Sequence, residues 1–314
     1  MKFFYPLICI IFLTISCKEA IKNEKKFIAE QSFEEIQFVE PKVNNSLVVN
    51  SKEDLLGYWV GDFKADISEE KTDSIYQEKN YNLLNRKITF SIDEIKGDSI
   101  FGHSITAGNI SQFKGLVYQN ESEFVIKADE FKKSKYDGLF EMNISKNDSL
   151  LIGNWVAYNP KELKVATRKY QLQKKIFKYN PNNKVDEIFI NDDKFNTLKY
   201  KDTIDCEVVE NEFEEYFTNT EKLYEKNASI DELTSDFVSN LSKADIFILR
   251  NSIFARHGFA FRDKQLRMYF EQFDWYMPVF GDVKDELTEV EKRNIDLLLR
   301  YEQNAEEYYD TFGR

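Results

Sequence analysis

Between residues 51 and 175 apolar and polar side chains alternate with a period of two, in one short run after another. Ile88, Phe90 and Ile92 interleave with Lys87, Thr89 and Ser91. Phe140, Met142 and Ile144 interleave with Glu141, Asn143 and Ser145, and Ala166, Arg168, Tyr170 and Leu172 with Thr167, Lys169 and Gln171. A period of two sends successive side chains to opposite faces of an extended strand, so each run has one face to bury. Turn signals such as Lys96-Gly97-Asp98, Gln119-Asn120-Glu121 and Lys146-Asn147-Asp148 separate the runs. About eight strands, spaced by roughly 8–12 residues, predict an antiparallel barrel or sandwich.

The period changes in the last third. Ser242-x-x-Asp245 reads as a capping box before Ile246, Leu249, Ile253 and Phe254, and Gly258 as the left-handed residue that ends that helix. Asp263 caps a second helix carrying Leu266, Tyr269, Phe270 and Phe273. Thr288-x-x-Glu291 opens a third, before Ile295, Leu298 and Leu299. Three such helices make a small bundle. Between the two regions, Asn180-Pro181-Asn182-Asn183 is a strong break. Asp205 to Asp236 then carries eleven acidic residues against Lys222 and Lys226, which reads as a solvated helical face, with Ser229-x-x-Glu232 as a capping box for a short helix.

The chain opens Met1-Lys2, runs almost wholly apolar from Phe3 to Ile15, and then reads Ser16-Cys17-Lys18-Glu19. A positive start, a short apolar run and a small residue before the cut describe a secretory signal. The run is too short for a bilayer, which takes about 20 residues. Leu13-Thr14-Ile15-Ser16-Cys17 resembles a bacterial lipobox in relaxed form, with Thr14 where Leu is usual. The resemblance implies cleavage before Cys17 and acylation there, and three acyl chains at about 0.8 kcal/mol per buried methylene would anchor the protein on a membrane. Lys18 after the cysteine favours the outer membrane. Of the three cysteines, Cys9 then leaves with the leader and Cys17 is modified, so Cys206 is the one free thiol; its neighbours Asp205 and Glu207 oppose nucleophilic activation.

Within the β region, Gly57-Tyr58-Trp59 resembles the Gly-x-Trp of the lipocalin and avidin superfamily. There the Trp closes one end of the barrel and an Arg from the last strand packs across it, which assigns the barrel-closing pair to Trp59 and Arg168. Eight strands leave an interior that is either filled by side chains or holds one small molecule. With Phe90, Phe101, Phe124 and Phe140 available, a filled core is expected, and His103, on the face of Phe101, is read as a buried, hydrogen-bonded histidine.

In the helical region, Phe254-Ala255-Arg256-His257-Gly258, followed by Phe270, Trp275-Tyr276 and Pro278, resembles the YARHG domain, a module of exported bacterial proteins. Phe254 replaces the Tyr of its name. The resemblance implies an extracytoplasmic setting and carries no catalytic residue across. Most of the motif has a structural explanation: Gly258 supplies positive φ, Ala255 permits close packing, and Arg256 and His257 sit in a helix's last turn. Alternatively Arg256, His257, Trp275 and Tyr276 form an aromatic and cationic binding face, suited to sugars or an acidic wall polymer.

The expected fold is therefore multidomain, all-β plus all-α: an antiparallel up-and-down β-barrel of lipocalin-like type followed by a small three-helix module. The segments are a signal peptide (1–16), a lipidated tether (17–50), the barrel (51–175), an acidic connector with short helices (176–241), the YARHG-like module (242–303) and a C-terminal tail (304–314). With 55 Asp and Glu against 43 Lys and Arg, the chain lacks the cationic surplus a nucleic-acid binder needs. Two histidines cannot build a multi-histidine metal centre, and no nucleotide or hydrolase motif occurs, so no metal, cofactor or catalytic residue is expected. The expected function is a non-enzymatic envelope lipoprotein with a binding or structural role, its partners a membrane and peptidoglycan or another envelope component. A carrier of a small apolar ligand in the barrel is the alternative, and an envelope hydrolase a weaker one.

Overall fold

The alternating runs close into an eight-stranded antiparallel barrel in the computed structural model, which describes residues 46–132, 134–204 and 207–312. The leader, Cys17, most of the tether and Cys206 lie outside the described residues. The strands are β1 (Gly57–Ala65), β2 (Lys87–Lys96), β3 (Ser99–Thr106), β4 (Asn109–Gln119), β5 (Glu123–Glu130), β6 (Gly138–Ser145), β7 (Leu150–Ala157) and β8 (Thr167–Lys175), each paired with its sequence neighbour, and β8 closes on β1. All three predicted turns join adjacent strands, with Gly97 and Asn147 at positive φ. The folded part starts before the predicted boundary at 51: Val49 is fully buried in the barrel core and pairs with Asp148.

The barrel interior is filled. Phe90 stacks on Phe113 with centroids 4.2 Å apart, Phe140 meets Phe90 edge-on at 5.1 Å, and Phe63 meets Trp155 edge-on at 5.7 Å. Phe101 does not join them. A bulge between Ile92 and Glu94 shifts the β2–β3 register, and Phe101 lies on the outer face between the ammonium groups of Lys96 and Lys114. His103 shares that outer face and is nonetheless buried, with Nδ1 2.7 Å from Asp93 Oδ2. A helix that the alternation did not announce, α1 (Glu69–Gln77), intervenes between β1 and β2, capped by Ser68.

The acidic connector is not helical where its charge is densest. Ile190–Ile204 and Glu207–Thr218 form a two-stranded antiparallel ribbon, β9 and β10. Both faces of the ribbon meet water, leaving Phe195, Tyr200, Val208 and Phe213 exposed, so no buried face imposes a clean alternation. Cross-strand ion pairs, Lys199 with Glu212 and Lys201 with Glu210, neutralise part of the acidic strand. Nor does Ser229 start a helix. The short helix α2 (Ser235–Val238) begins at Thr234, whose side chain accepts from the Phe237 amide.

The three expected helices follow as α3 (Lys243–Arg256), α4 (Lys264–Phe270) and α5 (Glu289–Phe312), the last running through most of the expected tail. The Ser242/Asp245 capping box is complete and Asp263 caps α4. The helical core gathers Leu249, Ile253, Tyr269, Phe270, Tyr276 and Leu298, among others. A second apolar cluster joins module to barrel: Tyr58 and Val60, pointing outward from β1, are buried under Met277 and Val279.

Candidate functional site

The motif at the end of α3 is an internal anchor. Arg256 is 4% exposed and donates from Nε to the Asn183 carbonyl at 3.0 Å and from Nη1 to the hydroxyls of Ser252 (2.9 Å) and Ser229 (3.2 Å). Burial lowers its pKa to about 10, against the opposing pull of Tyr179 and Glu291. His257 places Nε2 2.9 Å from Glu291 Oε2, and its ring stacks on Tyr179 with centroids 4.1 Å apart. The Tyr179 hydroxyl donates to Glu291 Oε1 at 3.0 Å, and the Thr288 amide and hydroxyl donate to Oε2. One carboxylate therefore completes the cap of α5, holds the motif histidine, and ties down the segment leaving the barrel. Burial pushes the Glu291 carboxyl up, but the hydrogen bonds from His257, Thr288 and Ser229 outweigh it and hold the group at about 2.

Gly258 sits at φ +76°, and its carbonyl accepts from the amides of Val279 and Phe280 at 2.9 and 3.0 Å. A Cβ there would lie 2.7 Å from the Phe177 ring and 2.8 Å from a Val279 methyl, so close packing and backbone conformation both require glycine. Ala255 is buried, and Phe254 lies part-exposed against Phe259. Tyr276 is 1% exposed and donates to the Phe259 carbonyl at 2.7 Å; Trp275 donates to the Lys184 carbonyl at 2.9 Å. The structure thus brings Arg256, His257, Trp275 and Tyr276 into one neighbourhood with their polar groups turned inward. Of the four residues in the alternative reading as a binding face, Arg256, His257 and Tyr276 are buried and Trp275 is part-exposed.

The expected pairing of Trp59 with Arg168 is corrected. Antiparallel pairing puts Trp59 opposite Lys174 and Ala65 opposite Arg168, so the two side chains start about 20 Å apart, at opposite ends of the barrel. Lys174 is the cation over the Trp59 indole, 6.0 Å from its centroid, and donates to the Asp54 carbonyl; the indole N–H donates to the Leu55 carbonyl at 2.9 Å. Arg168 closes the other end over the Phe63 ring, donating to the carbonyls of Phe63 and Leu83 at 2.8 Å each. An Arg on an apolar strand face was legible, but which end it closes depends on register.

At the Arg168 end lies a cleft of about 480 Å³ that sequence reasoning missed. The barrel contributes Phe63, Phe140, Trp155 and Arg168, and the residue just before β2 contributes Arg86. The helical module completes it with Arg262, and with Arg267 on α4. Glu130 lines the same cleft while accepting from Ser104 (2.6 Å), the Gly138 amide (2.7 Å) and the Trp155 indole (3.2 Å); burial raises its pKa to about 7 despite those donors. The one local hint was an arginine inside the apolar run of α4, Leu266-Arg267-Met268-Tyr269-Phe270.

Among the described residues no group of three or more His, Cys, Asp or Glu side chains is placed to hold a metal ion, and no helix is long and apolar enough to cross a membrane. No curated protein and no solved structure matches the chain. The helical part is matched: the model of the YARHG domain covers residues 221–303, starting upstream of Ser242, so the turn that supplies Ser229 to Arg256 belongs with the motif it supports.

Proposed function

We propose that this is an exported, non-enzymatic envelope lipoprotein whose binding function lies at the end of the barrel that the YARHG domain helps to wall. The YARHG domain is typical of extracellular and secreted proteins, which agrees with the leader and with lipidation at Cys17. A single observation carries the reading: the 480 Å³ cleft is built jointly by barrel interior and module, in the size range of small-molecule sites. The packed aromatic interior argues against an apolar ligand deep in the barrel. Both histidines are engaged with carboxylates in packed surroundings rather than in a cleft, which favours binding over hydrolysis. Under this reading the YARHG motif holds the module's shape, and an envelope component would be met at the cleft.

Native mass spectrometry of the full chain purified from its producing cells tests this. The expected result is a small-molecule adduct that Trp155→Ala weakens. An adduct-free protein that also shows no thermal shift with any soluble envelope fragment, muropeptides included, would overturn it.

A further inference from the structure

Arginines converge on the cleft from segments far apart in sequence. Arg86 precedes β2, Arg168 opens β8, and Arg262 and Arg267 come from the helical module. None of the four forms an ion pair among the described residues, although the chain is acidic overall. Arg267 is the least expected. It is 8% exposed, it lines the cleft, and its Nε has no hydrogen-bond partner. A guanidinium that deep ordinarily has its donors satisfied, because leaving one unmet costs about 1–3 kcal/mol.

The guanidinium groups also repel one another. After burial, the largest influence lowering the pKa of Arg86 is Arg267, and Arg168 is brought down to about 9 by burial together with Arg86. Negative charge nearby is limited. Glu271 acts on Arg86 and Arg267 without forming an ion pair with either, and it accepts a hydrogen bond from the Lys87 amide. Glu130 is occupied by its three donors, and among the exposed lining residues Lys164 is paired with Glu78, leaving Lys135 and Glu162 to balance one another.

Resting on the binding reading above, we infer that the cleft takes a small organic oxyanion, a carboxylate or phosphate ester, with its charged group on Arg267, Arg86 and Arg168 and its body against Trp155 and Phe63. An oxyanion supplies acceptors in the planar geometry guanidinium groups match, and it relieves their mutual repulsion. Trp155 and Phe63 both line the cleft, and the aromatic surface they leave there, beside the Arg168 guanidinium that covers Phe63, suits a flat or apolar body. Because Arg262 and Arg267 belong to the YARHG domain, ligand binding would tie the module to the barrel.

Isothermal titration of the full chain with phenyl phosphate, and with neutral benzyl alcohol as its counterpart, tests the inference. Phenyl phosphate is expected to bind at least tenfold more tightly than benzyl alcohol. Its affinity should fall at least tenfold in Arg267→Gln and severalfold in the exposed variant Arg262→Gln, and should weaken between 50 and 500 mM salt. If Arg267→Gln does not fold, the Arg262→Gln and salt arms decide. Equal affinity for the neutral probe, or phosphate binding that salt and both variants leave unchanged, would overturn the oxyanion while leaving the cleft a binding site. Failure of both probes up to 10 mM overturns the inference. The binding reading falls with it only if the protein from its producing cells is also adduct-free and no soluble envelope fragment shifts its melting.

Discussion

Removing the Glu291 carboxylate should unfasten the helical module from within. The side chain is fully buried and accepts from His257, Tyr179 and both donors of Thr288. Holding it at about 2 rather than at the ordinary 4.5 corresponds to about 3 kcal/mol of stability, at about 1.36 kcal/mol per pH unit. Glu291→Ala also strands the Thr288 amide and the Tyr179 hydroxyl without partners, so a loss of roughly 4 kcal/mol is expected; Glu291→Gln keeps an acceptor for the cap and should cost about 2 kcal/mol. Urea unfolding of the full chain, followed by helical circular dichroism, measures both. A pH series adds a sign. The pKa is depressed on folding, so this stability is fully present above 4.5 and is lost as pH falls from 4.5 towards 2. The gap between wild type and Glu291→Gln should accordingly stay constant above pH 4.5 and close below it. A Glu291→Ala cost under about 1 kcal/mol, or a gap indifferent to acid, would refute the view that the motif histidine is an internal anchor.

Gly258→Ala should lower stability by roughly 2–4 kcal/mol, combining about 1–2 for a left-handed non-glycine with the clash against Phe177 and Val279; an unchanged melting midpoint would contradict this. Glu130 has the opposite pH signature to Glu291. Its pKa is raised on folding to about 7, so wild type should lose about 3 kcal/mol relative to Glu130→Gln as pH rises from 4.5 to 7, and parallel stability curves across that window would count against the buried-carboxyl assignment. Cys17→Ser should abolish incorporation of radiolabelled palmitate and release the protein from the membrane fraction, and persistent label would remove the anchor from the proposal. A chain ending at residue 176 should be less soluble than the full chain and bind an apolar dye, because Tyr58 and Val60 lose the cover of Met277 and Val279; a soluble, dye-free truncation would show that cover to be dispensable.

The barrel was legible because each strand has one face in a packed core and the other in water, a difference that side-chain polarity records directly. Where that contrast fails, so does the reading. The β9–β10 ribbon is wet on both faces, and Glu210, Glu212, Glu214 and Glu215 read as a solvated helix. The missed clue was complementary, Lys199 and Lys201 against Glu212 and Glu210, and it becomes visible only once a hairpin register is assumed. Phe101 went to the wrong face because a bulge changes the register without changing composition. The YARHG motif could be read for its backbone, Gly258 above all, but not for its partners, since Asn183, Ser229 and Glu291 reach it from 27 to 73 residues away. The cleft arginines were out of reach for the same reason.

These links join the motif to the cleft. The Gly258 carbonyl accepts the amides of Val279 and Phe280, fixing the segment that follows Trp275 and Tyr276. That segment lays Met277 and Val279 on the outward-facing Tyr58 and Val60 of β1, while Lys87 at the start of β2 donates to the carbonyls of Phe273 and Tyr276. The Ala260 amide donates back to the Phe280 carbonyl, which carries the chain into Arg262, where Nε meets the Gly108 carbonyl of the β3–β4 turn, and on into α4 with Arg267. An error of one residue at the left-handed glycine would therefore shift both module arginines relative to Arg168 and Arg86. Under the proposed function, the motif would govern binding without touching a ligand. Its requirement for glycine after a buried Arg-His pair follows from setting two helices and one barrel edge at a fixed distance.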